Sequence, residues 1–164
     1  MMARAIATFG FVGLLPKAPG TWGSLAALPV FWVLHGLGQF PLVLLATAVA
    51  FGAGYWATAR IEAREAAHDP GWIVIDEVVG QWIAMYPLSF GLWWMGADPW
   101  SFAWPGFVLG FALFRLFDIW KPGPVGWADR TGGALGVMLD DVFAGIMAGI
   151  CVGVLGALAH LVVM

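Results

Sequence analysis

Two pairs of adjacent carboxylates mark this chain: Asp76 with Glu77 in "IDEVVGQW", and Asp140 with Asp141 in "GVMLDDVF". Both pairs adjoin or interrupt apolar, helix-like runs, where an ionised side chain is costly and is by default a functional candidate. An acid near a helix N-terminus also favours the helix dipole. That accounts for one acid per helix, not for two in succession. Gathered in one place, four such groups cannot all stay ionised without a cation among them. The candidate ligands Asp76, Glu77, Asp140 and Asp141 offer only oxygen, no His lies close to them in sequence, and the single Cys151 sits in the last apolar run. Oxygen-only ligands point to Mg²⁺ or another hard cation rather than zinc. Mg²⁺ usually takes one or two protein carboxylates and completes its shell with water and substrate phosphate. With Asp118 as a fifth acid, the set exceeds the needs of one ion. Either there are two metals, or one acid is left as a general base.

Basic residues are placed to meet a phosphate beside those acids. Arg115, Asp118 and Lys121 follow one another at intervals of three in "FRLFDIWKPGP", so they share a helix face if the helix reaches Pro122. Arg115 and Asp118 could equally form a plain salt bridge. "PKAPGTWGS" puts Lys17, Thr21 and Ser24 in a Gly/Pro-rich loop before a helix start, where free N–H groups suit an anion. Arg130 joins Lys17, Thr21 and Ser24 as a candidate substrate contact. By contrast, Glu62, Glu65 and Asp69 lie among Arg60, Arg64 and His68 at helical spacing and read as a solvated extension.

The elements that must position these groups are apolar. Hydrophobic residues make up 62% of the chain and mean hydropathy is +0.88, well outside the range of soluble globular proteins, so lipid is the expected solvent. The 164 residues suit one domain, 1–164, all-α and built as a polytopic membrane bundle. A membrane helix needs about 20 apolar residues. Uncharged runs give five candidates, near 24–39, 41–60, 76–95, 100–119 and 137–162, the first two forming a hairpin broken near "HGLGQFP". Threaded five times, the chain places Arg4, Lys17, Arg60, Arg64, Arg115, Lys121 and Arg130 on one side, which the positive-inside rule makes cytoplasmic. All acids except Asp98 fall there too. Trp93, Trp94 and Trp100 would mark the outer interface, and Trp72, Trp120 and Trp127 the inner one.

Spacing also orients the acids. Asp141, Gly145, Gly149 and Gly153 recur every fourth residue with Ala157 continuing the stripe, and Asp76, Gly80 and Ala84 do the same. Small residues in such stripes let membrane helices approach closely, so both acids face into the bundle. The N-terminal stretch around Arg4 reads as a retained interfacial or re-entrant segment rather than a signal peptide. Basic residues are too few and too dispersed for a nucleic-acid footprint.

Four motifs, "APGTWGS", "IDEVVGQW", "FRLFDIWKPGP" and "GVMLDDVFAG", stand in the order found in the phosphatidylglycerophosphatase A family, which the chain resembles from about Pro16 to Gly149. The resemblance implies a Mg²⁺-dependent lipid phosphatase of the bacterial inner membrane. It would act on phosphatidylglycerophosphate at the cytoplasmic face, releasing phosphatidylglycerol and inorganic phosphate. On that reading Asp76, Glu77, Asp140 and Asp141 hold Mg²⁺, Arg115 and Lys121 neutralise developing charge, and Asp118 directs the attacking water or is itself the nucleophile. Two other classes remain for comparison. A small transporter also uses intramembrane acids and broken helices, but no inverted repeat is visible and these acids gather at one face. A non-catalytic assembly protein would use the glycine stripes for packing alone and would tolerate Asp141→Asn.

Overall fold

The computed structural model describes residues 1–65 and 70–163. His68 and Asp69, together with the side chain of Glu65, lie outside the described residues. Every regular element among the described residues is helical. Helix α1 (Met2–Ala7) and a 3-10 turn (Val12–Leu14) precede α2 (Pro19–Glu65), followed by α3 (Ile75–Ala84), α4 (Tyr86–Trp94), α5 (Trp104–Trp120), α6 (Pro124–Thr131) and α7 (Gly133–Val163).

Helix α2 is two arms. Its helical geometry fails at Gly38 and Gln39, the latter in the left-handed region at φ 52°, and Pro41 supplies no N–H for continuing the ladder. The neighbours of α2 show that the chain reverses there. Ala27 accepts a hydrogen bond from the Trp82 indole (2.9 Å), and His35 Nδ1 lies 2.8 Å from Ser89 Oγ. Beyond the break Phe40 packs edge-on against Tyr86 and Phe90, and Gly54 faces Ile75 and Met138. The first arm thus climbs alongside α3 and α4, and the second returns, matching the hairpin expected from the sequence.

The single helix expected over 76–95 is instead divided at Met85 into α3 and α4. Pro87 cannot donate to the carbonyl one turn earlier, and the Met85 N–H closes a tighter turn on Trp82 O (3.1 Å). Helix α5 then runs back, with Gly106 against Leu88 and Gly110 against Met85. The helix expected over 137–162 begins earlier, at Gly133. Short α6, unforeseen in the sequence, folds beneath it and ends at Gly132 and Gly133, whose φ values of 70° and 63° favour glycine at the turn into α7.

Helix α7 carries the glycine stripe as its spacing predicts. A Cβ at Gly145 would fall 3.1 Å from both Cα and C of Gly80, and one at Gly80 would reach 2.5 Å from the carbonyl oxygen of Asp141. Farther along, Gly149 faces Ile83 and Ala84, and Gly153 faces Pro87. Backbone therefore meets backbone on the α3–α7 seam. The adjoining face of α7 leaves Ile146, Ile150, Val154 and Leu158 exposed, an apolar surface that water would penalise. Two stretches, Pro19–Arg64 and Gly133–Leu161, are long and apolar enough to cross a membrane by length and composition, with mean hydropathies of 1.7 and 2.3. Cys151 packs half-buried as an ordinary small apolar group.

One end of this bundle collects the charge. The starts of α2, α3 and α7 and the finish of α5 meet there, because each pass runs opposite to its predecessor. Arg4 also reaches it, its guanidinium 5.3 Å from the centre of the Trp72 ring, while the chain behind it is tied down by a Val74 N–H to Ala7 O bond (2.8 Å).

Candidate functional site

Asp76 and Glu77 fall in the first turn of α3, where backbone N–H groups lack helical partners. Asp140 and Asp141 lie one turn below the closest α3–α7 approach. Oxygen atoms of Asp76, Glu77 and Asp141 come within 4.8 Å of one another. Opposite ligands of one octahedral Mg²⁺ are about 4.2 Å apart, so such a trio needs little closing to share an ion. Asp76 and Asp141 are buried, at 8% and 2% exposure. Buried carboxylate oxygens are expected to be bonded. Yet Glu77 Oε2 and Asp141 Oδ1 have no hydrogen-bond partner. An all-oxygen cluster in which two acids each keep an oxygen without a donor suits a hard cation.

The two acid pairs are built alike. Asp76 Oδ1 accepts from the Glu77 N–H (3.0 Å), and Asp140 Oδ1 accepts from the Asp141 N–H (2.9 Å). In each pair the first acid is steadied by the backbone of the second. The resemblance ends there, because Asp140 Oδ2 also takes a 2.9 Å bond from Lys121 Nζ. The sequence offered four candidate ligands, for two metals or for one with an acid to spare; the structure gathers three and turns the fourth toward a lysine.

Lys121 itself is shared between Asp140 and Asp129. It follows the last residue of α5 in a left-handed conformation (φ 48°), which swings its side chain toward α6 and α7. Partial burial alone would lower its pKa, but the hydrogen bonds and charges of Asp129 and Asp140 outweigh that and raise it. It is therefore charged throughout the physiological pH range.

Arg115 and Asp118 do form a salt bridge, Nη1 to Oδ2 at 2.6 Å, on the last turns of α5. The same Nη1 reaches Ser24 Oγ at 3.4 Å, while Ser24 donates to Gly20 O at 2.8 Å. Asp118 also lies close enough to Asp141 and Glu77 to interact with both. Gly20 is where these groups converge. A Cβ there would strike Glu77 Oε1 and sit 3.3 Å from Arg115 Nη1. Only glycine leaves the acid and the guanidinium room to approach the start of α2.

Comparison with known proteins decides the family. Residues 5–156 match the model for "Phosphatidylglycerophosphatase A". The chain belongs to the phosphatidylglycerophosphatase A family. The phosphatidylglycerophosphatase A of Escherichia coli strain K12 is 37% identical over 150 residues, covering 90% of this chain and 78% of that protein. That of Haemophilus influenzae is 38% identical over 141 residues, covering 85% and 80%. A Bacteroides thetaiotaomicron protein named "Putative phosphatidylinositol-3-phosphatase" is 39% identical over 147 residues, covering 87% and 86%. No solved structure matches the chain. As a member of this phosphatidylglycerophosphatase family the chain is a phosphatase, a phosphoric monoester hydrolase.

Within this family member the remaining expected residues divide by exposure. Ser24 is fully buried at the site, and Thr21 is half-buried one turn earlier. Lys17 (φ 64°) and Arg130 are exposed at the rim, and neither makes an ion pair among the described residues. Three residues escaped the sequence reading. Asp129 was given no role and is a lysine partner. Gly20 was given no role and lies against Glu77 and Arg115. Gln81, one turn beyond Glu77 in "IDEVVGQW", is fully buried with neither amide atom hydrogen-bonded. A lone amide in the apolar run that follows Glu77 was the available signal for it.

Proposed function

We propose that the protein removes the terminal phosphate of phosphatidylglycerophosphate, using Mg²⁺ held by Asp76, Glu77 and Asp141 at the cytoplasmic face of the bacterial inner membrane. The observation that carries this reading is the buried acid trio with two unpartnered oxygens, set beside Arg115 in a member of this phosphatase family. On this reading the five passes of the chain are five membrane crossings, and its seven Lys and Arg remain on the inner side, as the positive-inside rule favours.

Mg²⁺, when bound, supplies charge that polarises the phosphoryl group. Arg115, oriented by Asp118 and Ser24, presents its guanidinium to the equatorial phosphate oxygens, where positive charge stabilises the transition state. Asp118 uses Oδ2 on Arg115, which leaves Oδ1 to orient a water and accept its proton. The water oxygen bonds to phosphorus and gives a proton to Asp118, the ester P–O bond breaks, and the departing glycerol oxygen takes a proton from solvent to become a hydroxyl. Direct attack by Asp118 on phosphorus is the alternative route. Lys121 holds Asp140 in place, and a phosphate entering the site competes with Asp129 for its ammonium. Lys17, Thr21 and Arg130 line the rim, where a polar headgroup would rest.

Phosphate release from phosphatidylglycerophosphate in detergent micelles, with Mg²⁺ and with EDTA, tests the reading. Phosphatidylinositol-3-phosphate, suggested by the name of the Bacteroides relative, serves as the comparison substrate. Release that needs the metal and is lost in Asp141→Asn is the expected result. A folded sample with Mg²⁺ that releases nothing from either lipid would refute the proposal. The stereochemical course at phosphorus, followed with an isotopically chiral terminal thiophosphate, separates the two routes: retention means covalent attack by Asp118, and inversion means direct hydrolysis.

A further inference from the structure

The first arm of α2 and helix α5 meet at the charged end, where Arg115 reaches across to Ser24, and again farther along, where Phe31 packs edge-on to Phe107 at 5.8 Å. Between them lies a groove of about 700 Å³ with no polar lining surface. Its walls are Leu25 and Leu28 on α2 and Val108 and Phe111 on α5. Trp32 and Trp104 close its far end, with Trp32 packed edge-on to Trp100 at 5.3 Å and bonded to the Trp100 carbonyl. The near end adjoins the site along both helices. Leu25 follows Ser24, and Phe111 lies one turn from Arg115 on the same helix.

We infer that this groove seats an acyl chain of the lipid whose phosphate occupies the acid site, and that substrate enters sideways between α2 and α5. The inference rests on the lipid-phosphomonoester reading and adds to it where the tail goes. Depth supports it: Arg115 to Trp104 spans roughly 16 Å along the helix, about half of a ~30 Å hydrocarbon core. That is the depth of one leaflet, measured from the level of the phosphate. A second apolar cleft, between α4, α5 and α7, has a similar volume of about 640 Å³ but lies toward the opposite end, around Trp94 and His160. It has no continuity with the acids. Lipid tails are as apolar as the groove, so transfer into it gains little affinity. Its effect is placement: a seated tail fixes the depth and orientation of the headgroup, which is what phosphoryl transfer requires.

Photolabelling of the whole protein in micelles tests this. A phosphatidylglycerophosphate analogue with a diazirine midway along one acyl chain is compared with phosphatidylcholine carrying the same group. Label from the phosphomonoester should concentrate on Leu28, Val108 and Phe111 in clear excess over label from phosphatidylcholine. The same pattern from both probes, or concentration around Leu155 and Gly156 in the far cleft, would overturn the proposal. A second variant avoids the core: Val108 is 59% exposed, so Val108→Trp fills the groove without disturbing packing. It should lower kcat/KM for the long-chain substrate about tenfold, or ~1.4 kcal/mol; an unchanged value counts against the groove. Phosphate release with evenly spread label overturns the groove and leaves the reaction. Groove-specific label without any release overturns the reaction and leaves a lipid site.

Discussion

Two helix seams reach the charged end of this bundle, and they are built in opposite ways. On the α3–α7 seam Gly80 and Gly145 bring backbones into contact, and Ala84, Ala144 and Ala148 are fully buried. On the seam between the first arm of α2 and α5, large side chains hold the helices apart and leave a groove. The tight seam fixes three carboxylates from two distant segments within a few ångströms. The loose seam touches the same site through one long bond from Arg115 to Ser24. Small residues hold the acid-bearing helices close, and bulky ones leave open the groove proposed above for an acyl chain.

The largest expected effect falls on the tight seam. Asp141→Asn removes one carboxylate of the trio, and phosphate release should fall by at least about a hundredfold. Chelation by EDTA should match that loss, and added Mg²⁺ should restore the wild-type protein only. Melting in detergent should show no loss of stability in Asp141→Asn, since an unpartnered buried acid is replaced by a neutral amide. Equal activity in the variant would remove Asp141 from the chemistry.

Gly145→Val sharpens the comparison through stability. Its side chain would meet the Gly80 backbone, which cannot move aside as a flexible side chain could. A loss of about 3 kcal/mol is expected, read as a lower unfolding midpoint in detergent, with activity falling alongside. Wild-type stability would mean the seam opens easily and the contrast drawn here is wrong.

Asp129→Asn should do less. Lys121 keeps Asp140, and the Lys121–Asp129 pair is substantially exposed, so screening limits the stability change to within about 1 kcal/mol. Turnover should change by a few-fold, because the lysine charge is freer to meet phosphate. A collapse of activity would instead show that Asp129 is needed to position Lys121.

Val108→Ala marks the low end. It trims an exposed wall of the groove without filling it, so stability should stay within about 0.5 kcal/mol. A marked drop in the unfolding midpoint would show that the α2–α5 seam is packed after all.

Much of the architecture was legible because long apolar helices write simple patterns. Uncharged runs located the passes, and the four-residue stripe from Asp141 to Gly153 pointed to the face that meets α3. The break within "HGLGQFP" was visible in its glycines and Pro41. The split at Met85 was less so, since Pro87 is compatible with a helix start, a kink or a continuous run until its neighbours are known. Helix α6 was hidden in a short polar stretch that reads equally well as loop.

The sequence by itself determined which residues could carry phosphoryl chemistry, since adjacent acids and nearby basic residues in an apolar chain have few other uses. It also determined the family, through four ordered motifs. Only the tertiary structure decided how those groups divide their work. Asp140 and Asp141 are neighbours with the same side chain, but adjacent positions on a helix point about 100° apart. One turns to Lys121 and the other to Asp76 and Glu77. Which neighbour each finds depends on the left-handed turn at Lys121, the packing of α6 and the glycine contact on α3, none of which is encoded at the acids themselves.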